Sequence, residues 1–85
     1  MEIIRTRDFE KSLQKLSREI RQLYSIQERR FQKNPRDSRL HMKKVKGLAS
    51  MFSFRITRRY RVFFYFHTEE QAVFFEIDHR KDAYR

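Results

Sequence analysis

The chain has 85 residues and carries 21 Lys and Arg against 11 Asp and Glu, a formal net charge of +10. That length holds a single domain, residues 1–85, with one core, and so large an excess of cations favours a polyanionic partner, either nucleic acid or an acidic protein. An aromatic content of 15% excludes a disordered basic tail, and the lack of Cys excludes disulfides, thiolate zinc sites and thiol nucleophiles, which fits a reducing compartment.

Ile3-Ile4 can supply a short first strand. Phe9, Leu13 and Leu16, then Ile20, Leu23, Tyr24 and Phe31, recur every three or four residues, the spacing of amphipathic helices. Ser17, followed by Arg18-Glu19-Ile20, makes an N-cap that splits the stretch into helices over about 7–16 and 18–33, and Pro35 stops the second. The apolar stripe is too narrow for either helix to stand alone in water, so the pair must lie on an apolar surface. After Gly47, Met51 to Thr57 alternates apolar and polar residues as a half-buried strand does, with Phe52, Phe54 and Ile56 on one face. Arg58-Arg59 turns the chain into Tyr60–Phe66, and His67 to Gln71 turns it again into Ala72–Ile77. The expected fold is α+β: two N-terminal helices packed on one face of a mostly antiparallel four-stranded sheet, in the order β-α-α-β-β-β. Neither turn carries the Asn-Gly or Asp-Gly that tight hairpins prefer.

The charge is concentrated in the middle of the chain: residues 36–61 hold nine Lys and Arg against one Asp, whereas residues 62–85 are net acidic. Lys43, Lys44 and Lys46 mark a basic loop, and Arg55, Arg58, Arg59 and Arg61 a basic hairpin. By alternation, Ser53 and Arg55 on one strand and Arg61, Phe63 and Tyr65 on the next point away from the helices. Arginines interleaved with aromatic rings suit the gripping of phosphates and the stacking of unpaired bases. A solvated basic surface with ordinary strand aromatics is the bland alternative. No apolar run approaches the roughly 20 residues of a membrane span, and Met1-Glu2-Ile3-Ile4-Arg5 lacks the apolar stretch of a signal peptide, so no membrane partner and a cytoplasmic location are expected.

The last residues place His79, Arg80 and Tyr84 just beyond an apolar strand, where sites are commonly built. Cleavage of an RNA phosphodiester needs a base for the 2′-hydroxyl, cations for the charge that gathers on the phosphate, and a donor for the departing 5′-oxygen. This set could supply all three. Equally, His79 could hydrogen-bond the strand end and Tyr84 pack down with its hydroxyl in water.

Several motifs occur in a telling order: Phe9-x3-Leu13-x2-Leu16, Asn34-Pro35, Leu40-x3-Lys44-Val45-Lys46-Gly47, Phe54-Arg55-Ile56-x3-Tyr60-Arg61-Val62 and His79-Arg80-x3-Tyr84-Arg85. In this order the chain resembles the RelE/ParE superfamily of bacterial toxin–antitoxin toxins, and in particular its RelE-like mRNA interferases. The resemblance implies a compact RNase fold and metal-independent cleavage of messenger RNA on the ribosome, with no cofactor. It also implies neutralisation by a partner antitoxin, which the charge of this chain would require to be acidic. Arg55, Arg61, Arg80 and Tyr84 match positions that carry the chemistry in RelE-like members, and His79 matches a position used in some relatives. Lys43, Lys44, Lys46, Arg58, Arg59 and Arg85 are the accompanying RNA-binding candidates.

The chain departs from the best-known RelE member in having Ser53 where a lysine stands and Arg55 in place of a second lysine. A phenol needs cationic neighbours to act as a base at neutral pH and an imidazole does not, so Tyr84 and His79 are alternative bases. His41 and His67 fit no part of the pattern and read as surface residues. Two other functions suit the same composition: a ParE-like inhibitor of DNA gyrase, and a non-catalytic RNA- or ribosome-binding domain. A gyrase inhibitor has no chemical need of the His79-Arg80-x3-Tyr84 set together with Arg61.

Overall fold

In the computed structural model, which describes residues 1–79, two hydroxyl side chains set where the helices begin. Thr6 Oγ1 accepts from the backbone N–H of Phe9 at 3.1 Å and opens α1 (Arg7–Gln14), while Ser17 Oγ accepts from that of Ile20 at 3.3 Å and opens α2 (Arg18–Lys33). Each satisfies an amide that the first turn of a helix leaves without a partner. α1 ends before Leu16, because the Lys15 and Leu16 amides reach back only three residues, to Ser12 and Leu13, and tighten the chain out of the helix. α2 stops where expected: Asn34 is extended, since a proline disfavours helical backbone in the residue before it.

The sheet has five strands rather than the expected four, in the order β1 (Glu2–Arg5), β5 (Gln71–His79), β4 (Tyr60–Thr68), β3 (Phe52–Arg55), β2 (Lys43–Lys44). β1 runs parallel to β5, and the other pairs are antiparallel. The added strand is β2, which lies within the segment expected to be a basic loop. Gly47, at φ 83°, allows the chain after β2 to turn back towards β3 through a backbone shape that side-chain-bearing residues rarely adopt. Both later hairpins close without glycine because threonine hydroxyls organise the turns. Thr57 Oγ1 accepts from the amides of Arg59 and Tyr60 at 3.2 and 3.3 Å, and Thr68 Oγ1 from that of Glu70 at 3.1 Å.

The helices cover the face carrying Phe54, Val62, Phe64 and Phe74, all wholly buried together with Phe9 and Phe31. Phe31 of α2 sits at the middle of this cluster, with ring centroids 5.0 Å from Phe64 and Phe74 and 5.5 Å from Phe54. Edge-to-face geometry at the two shortest contacts suits the ring quadrupoles. One buried position of α2 is polar. Gln27 donates through Nε2 to the carbonyls of Arg39 at 2.9 Å and Arg55 at 2.6 Å, and its Oε1 accepts from Arg30 at 2.9 Å, so it ties the helix both to the 3₁₀ turn Ser38–Leu40 and to the end of β3. Leu23, expected on the buried stripe, is 42% exposed. No helix among the described residues is long and apolar enough to cross a membrane.

A bulge in β5 decides what each face displays at one end of the sheet. Phe63 pairs with Glu76 but Phe64 with Phe74, which leaves Phe75 as an extra residue. Phe74 and Ile77 are three positions apart and would face opposite ways in a regular strand. The extra residue brings both onto the helix side, Phe74 within the core and Ile77 against it. It thereby reverses the facing of everything beyond.

Candidate active site

The face away from the helices can be read from the pairing register, because directly opposed residues project on the same side with Cβ atoms about 5 Å apart. One row across β3, β4 and β5 is Arg55, Arg61 and Asp78. The adjacent row, starting on β2, is Lys43, Ser53, Phe63 and Glu76. Tyr65 follows, with Phe75 beside it at 5.9 Å between ring centroids. The interleaving of arginine and aromatic side chains expected from alternation on β3 and β4 is thus present.

The two central arginines differ in environment. Arg61 is wholly buried although it lies on the face without helices, and one guanidinium nitrogen donates to Ser53 Oγ at 3.1 Å. Ser53, itself only 4% exposed, therefore orients Arg61; its role was not evident from the sequence, where it stood out only as a replacement for lysine. Arg55 is half-buried, and its Nε finds no hydrogen-bond partner among the described residues. Its backbone is held instead, through the Gln27 bond to its carbonyl. The two cations stand opposite one another across neighbouring strands.

The remaining candidates distribute unevenly around this pair. Arg58 and Arg59 are exposed in the turn that joins Arg55 to Tyr60, at the same end of the sheet. Lys43 shares the face of Ser53, whereas Lys44 pairs with Phe52 and so belongs to the opposite face; Lys46 is exposed in the loop that follows. His79 pairs with Tyr60 and stacks on it, ring centroids 4.4 Å apart and nearly parallel at 8°, which places it on the face of Val62 and Ile77 rather than that of Arg61. Arg80, Tyr84 and Arg85 lie outside the described residues. His41 and His67 are exposed, and His41 lines a surface pocket together with Arg39 and Arg55.

Asp78 and Glu76, which the sequence reading did not single out, stand on the arginine face as exposed carboxylates. Regular alternation from Ala72 and Phe74 would have sent both to the helix side; the bulge is what turns them over. Towards the helix side of the basic loop, Asp37 accepts from Arg39 through both carboxylate oxygens, at 3.0 and 2.7 Å, and from the Arg39 amide at 2.9 Å. The Arg39 side chain and amide hold the Asp37 carboxyl well below the usual carboxylate range. On α2, burial pushes the Tyr24 hydroxyl up, with the Glu28 carboxylate adding to the rise and nearby Arg5 opposing it.

No protein-family model matches the sequence, and no curated protein matches it. Solved structures match over almost the whole chain. A YoeB/ParE toxin from Agrobacterium tumefaciens superposes with a TM-score of 0.77 at 15% identity, covering 93% of this chain and 98% of that one. The RelB–RelE antitoxin–toxin complex from Methanococcus jannaschii gives 0.76 at 23% identity, with 95% and 94% covered. The toxin–antitoxin complex RelBE2 from Mycobacterium tuberculosis gives 0.66 at 26% identity, with 93% and 96% covered. The chain therefore has the fold of the RelE and YoeB/ParE toxins that it resembles.

Proposed function

We propose that this chain is the toxin of a toxin–antitoxin pair and acts as a metal-independent endoribonuclease that cuts messenger RNA, on the ribosome, and so stops translation. The observation that carries the reading is the pair Arg55 and Arg61, like charges directly opposed across β3 and β4, with one of them wholly buried. Two cations opposed across neighbouring strands draw an anionic group to this end of the sheet. A phosphodiester is such a group. When a 2′-oxygen attacks phosphorus, charge gathers on the non-bridging oxygens, and guanidinium groups already in place stabilise it without reorganising. Lys43, Lys46, Arg58 and Arg59 extend the positive field along the strand, while Phe63 and Tyr65 offer surfaces for unstacked bases.

The test is tightly controlled expression in a bacterium followed by mapping of new messenger 5′ ends. Cuts within codons of translated regions, lost in Arg61→Ala, are the expected outcome, and cleavage should persist in a chelator. Growth arrest with intact messengers and inhibited gyrase supercoiling would move the chain to the ParE-like reading. Binding to ribosomes without any cut would make it a non-catalytic domain.

A surface of this charge also needs masking in its own host. The partner is an acidic antitoxin encoded beside this chain, whose apolar anchors and carboxylates meet the basic face. Structural relatives solved as antitoxin–toxin complexes support this. Co-expression of the adjacent acidic protein should restore growth, and the two should co-purify.

A further inference from the structure

We propose that Asp78 is the general base of the cleavage reaction, an inference that rests on the endoribonuclease reading above. Among the described residues it is the one carboxylate in the same row as both arginines, Arg55 and Arg61 standing on its β4 side. Strand spacing of about 4.8 Å puts the three side chains across roughly 10 Å, so a phosphate drawn to this row by the arginines has its sugar within reach of the carboxylate. Asp78 is exposed, so a 2′-hydroxyl can approach it. The imidazole of His79 stacks on Tyr60 on the other side of the sheet, which leaves Asp78 as the base that the described residues bring to this row. Glu76, the nearest other carboxylate on that face, is opposed to Phe63 and belongs to the adjacent row, with Ser53 and Lys43.

The step balances as a transesterification. The 2′-hydroxyl gives its proton to an Asp78 carboxylate oxygen, and the freed 2′-oxygen bonds to the adjacent phosphorus. The bond from phosphorus to the 5′-oxygen then breaks, its electron pair leaves with that oxygen, and the oxygen takes a proton from solvent. The products are a 2′,3′-cyclic phosphate and a 5′-hydroxyl end, and the carboxylate returns its proton to solvent. A carboxylate beside the scissile phosphate weakens the binding of RNA, so its removal should separate affinity from rate, which loss of a phosphate ligand does not do.

Asp78→Asn, Asp78→Glu and Glu76→Gln are compared with the unaltered chain in single-turnover cleavage of ribosome-bound messenger. Affinity is measured with the same messenger carrying a 2′-deoxy nucleotide at the cut site. Asp78→Asn should lose about 10²- to 10⁴-fold in cleavage rate, as for a removed general base, while binding the deoxy substrate as tightly as the unaltered chain or more so. Asp78→Glu should recover a tenth or more of the rate, and Glu76→Gln should stay within threefold. Cleavage by Asp78→Asn within threefold of normal overturns the proposal, as does a loss explained wholly by weaker binding or by a lower melting temperature, which would make Asp78 a counter-ion to Arg61. If Asp78→Asn does not fold, Asp78→Ser takes its place under the same criteria. Absence of any cut by the unaltered chain would instead remove the endoribonuclease reading, and this proposal with it.

Discussion

The same three strands, β3, β4 and β5, present two surfaces built on opposed principles. On the helix side Phe54, Val62, Phe64 and Phe74 are buried among apolar neighbours, so each contact adds to stability. On the other side Arg61 is just as fully buried, yet it is a cation, tied to Ser53 and set between Arg55 on β3 and Asp78 on β5. A buried charge costs stability unless its neighbours compensate it, so what this side contributes depends on those partners rather than on apolar contact. The comparison teaches that burial alone does not separate core from candidate site here; the sign and partners of the buried group do.

The largest effect expected from breaking the comparison is on the helix side. Phe31→Ala removes a ring in contact with Phe54, Phe64 and Phe74 and should cost about 3–5 kcal/mol, a large share of a small domain's stability. Denaturant titration should show the midpoint falling with little change in slope. Next comes Arg61→Ala, which should abolish cleavage and also destabilise by about 1–3 kcal/mol, because it empties a buried site and strips Ser53 of its donor. Phosphate ligands read from sequence are expected at the surface, where their removal leaves the melting temperature unchanged; total burial of Arg61 changes that expectation. Arg55→Ala, at a half-buried position, should lose activity at a smaller cost in stability. Equal destabilisation by both would mean that the two arginines are structural in the same way.

Gln27→Ala sharpens the comparison from the helix side, since it withdraws a donor from two carbonyls, those of Arg39 and Arg55. A loss of about 1–2 kcal/mol is expected, together with faster amide exchange at the β3–β4 turn that the glutamine holds. Smallest is Tyr24→Phe, within about 1 kcal/mol at neutral pH, because among the described residues the buried hydroxyl makes no close hydrogen bond and has only Arg5 near it as a donor. Its signature is alkaline. Burial raises the Tyr24 hydroxyl above its ordinary value of 10.0, so the folded state holds that proton more tightly than the unfolded state does. The resulting stability is complete below the ordinary value and is lost as pH rises through the raised one. Tyr24→Phe should therefore melt less steeply with rising pH in that range.

Much of the fold was legible along the chain. Ser17, Asn34-Pro35 and the alternation from Phe52 to Ile56 are local signals, and each acts within a few residues of where it is read. β2 was not legible, because two adjacent lysines carry no strand pattern and become a strand only by pairing with Ser53 and Phe52. Gln27 was missed for a related reason. A polar residue near an apolar stripe reads as surface until the carbonyls of Arg39 and Arg55 arrive from distant parts of the chain.

Composition and period by themselves determined a basic α+β fold with helices on one side of its sheet and arginines on the other, since charge, caps and alternation are properties of neighbouring residues. Which groups stand beside those arginines was settled only in three dimensions. In an unbroken strand, His79 would share the face of Phe75 and Ile77, and Asp78 that of Ala72 and Phe74. The extra residue at Phe75 shifts the register by one, turns Asp78 towards Arg61 and sends His79 to Tyr60. Side chains alternate with a period of two, so a single inserted residue exchanges the faces of all that follow, and nothing in the spelling of β5 marks where β4 will require it.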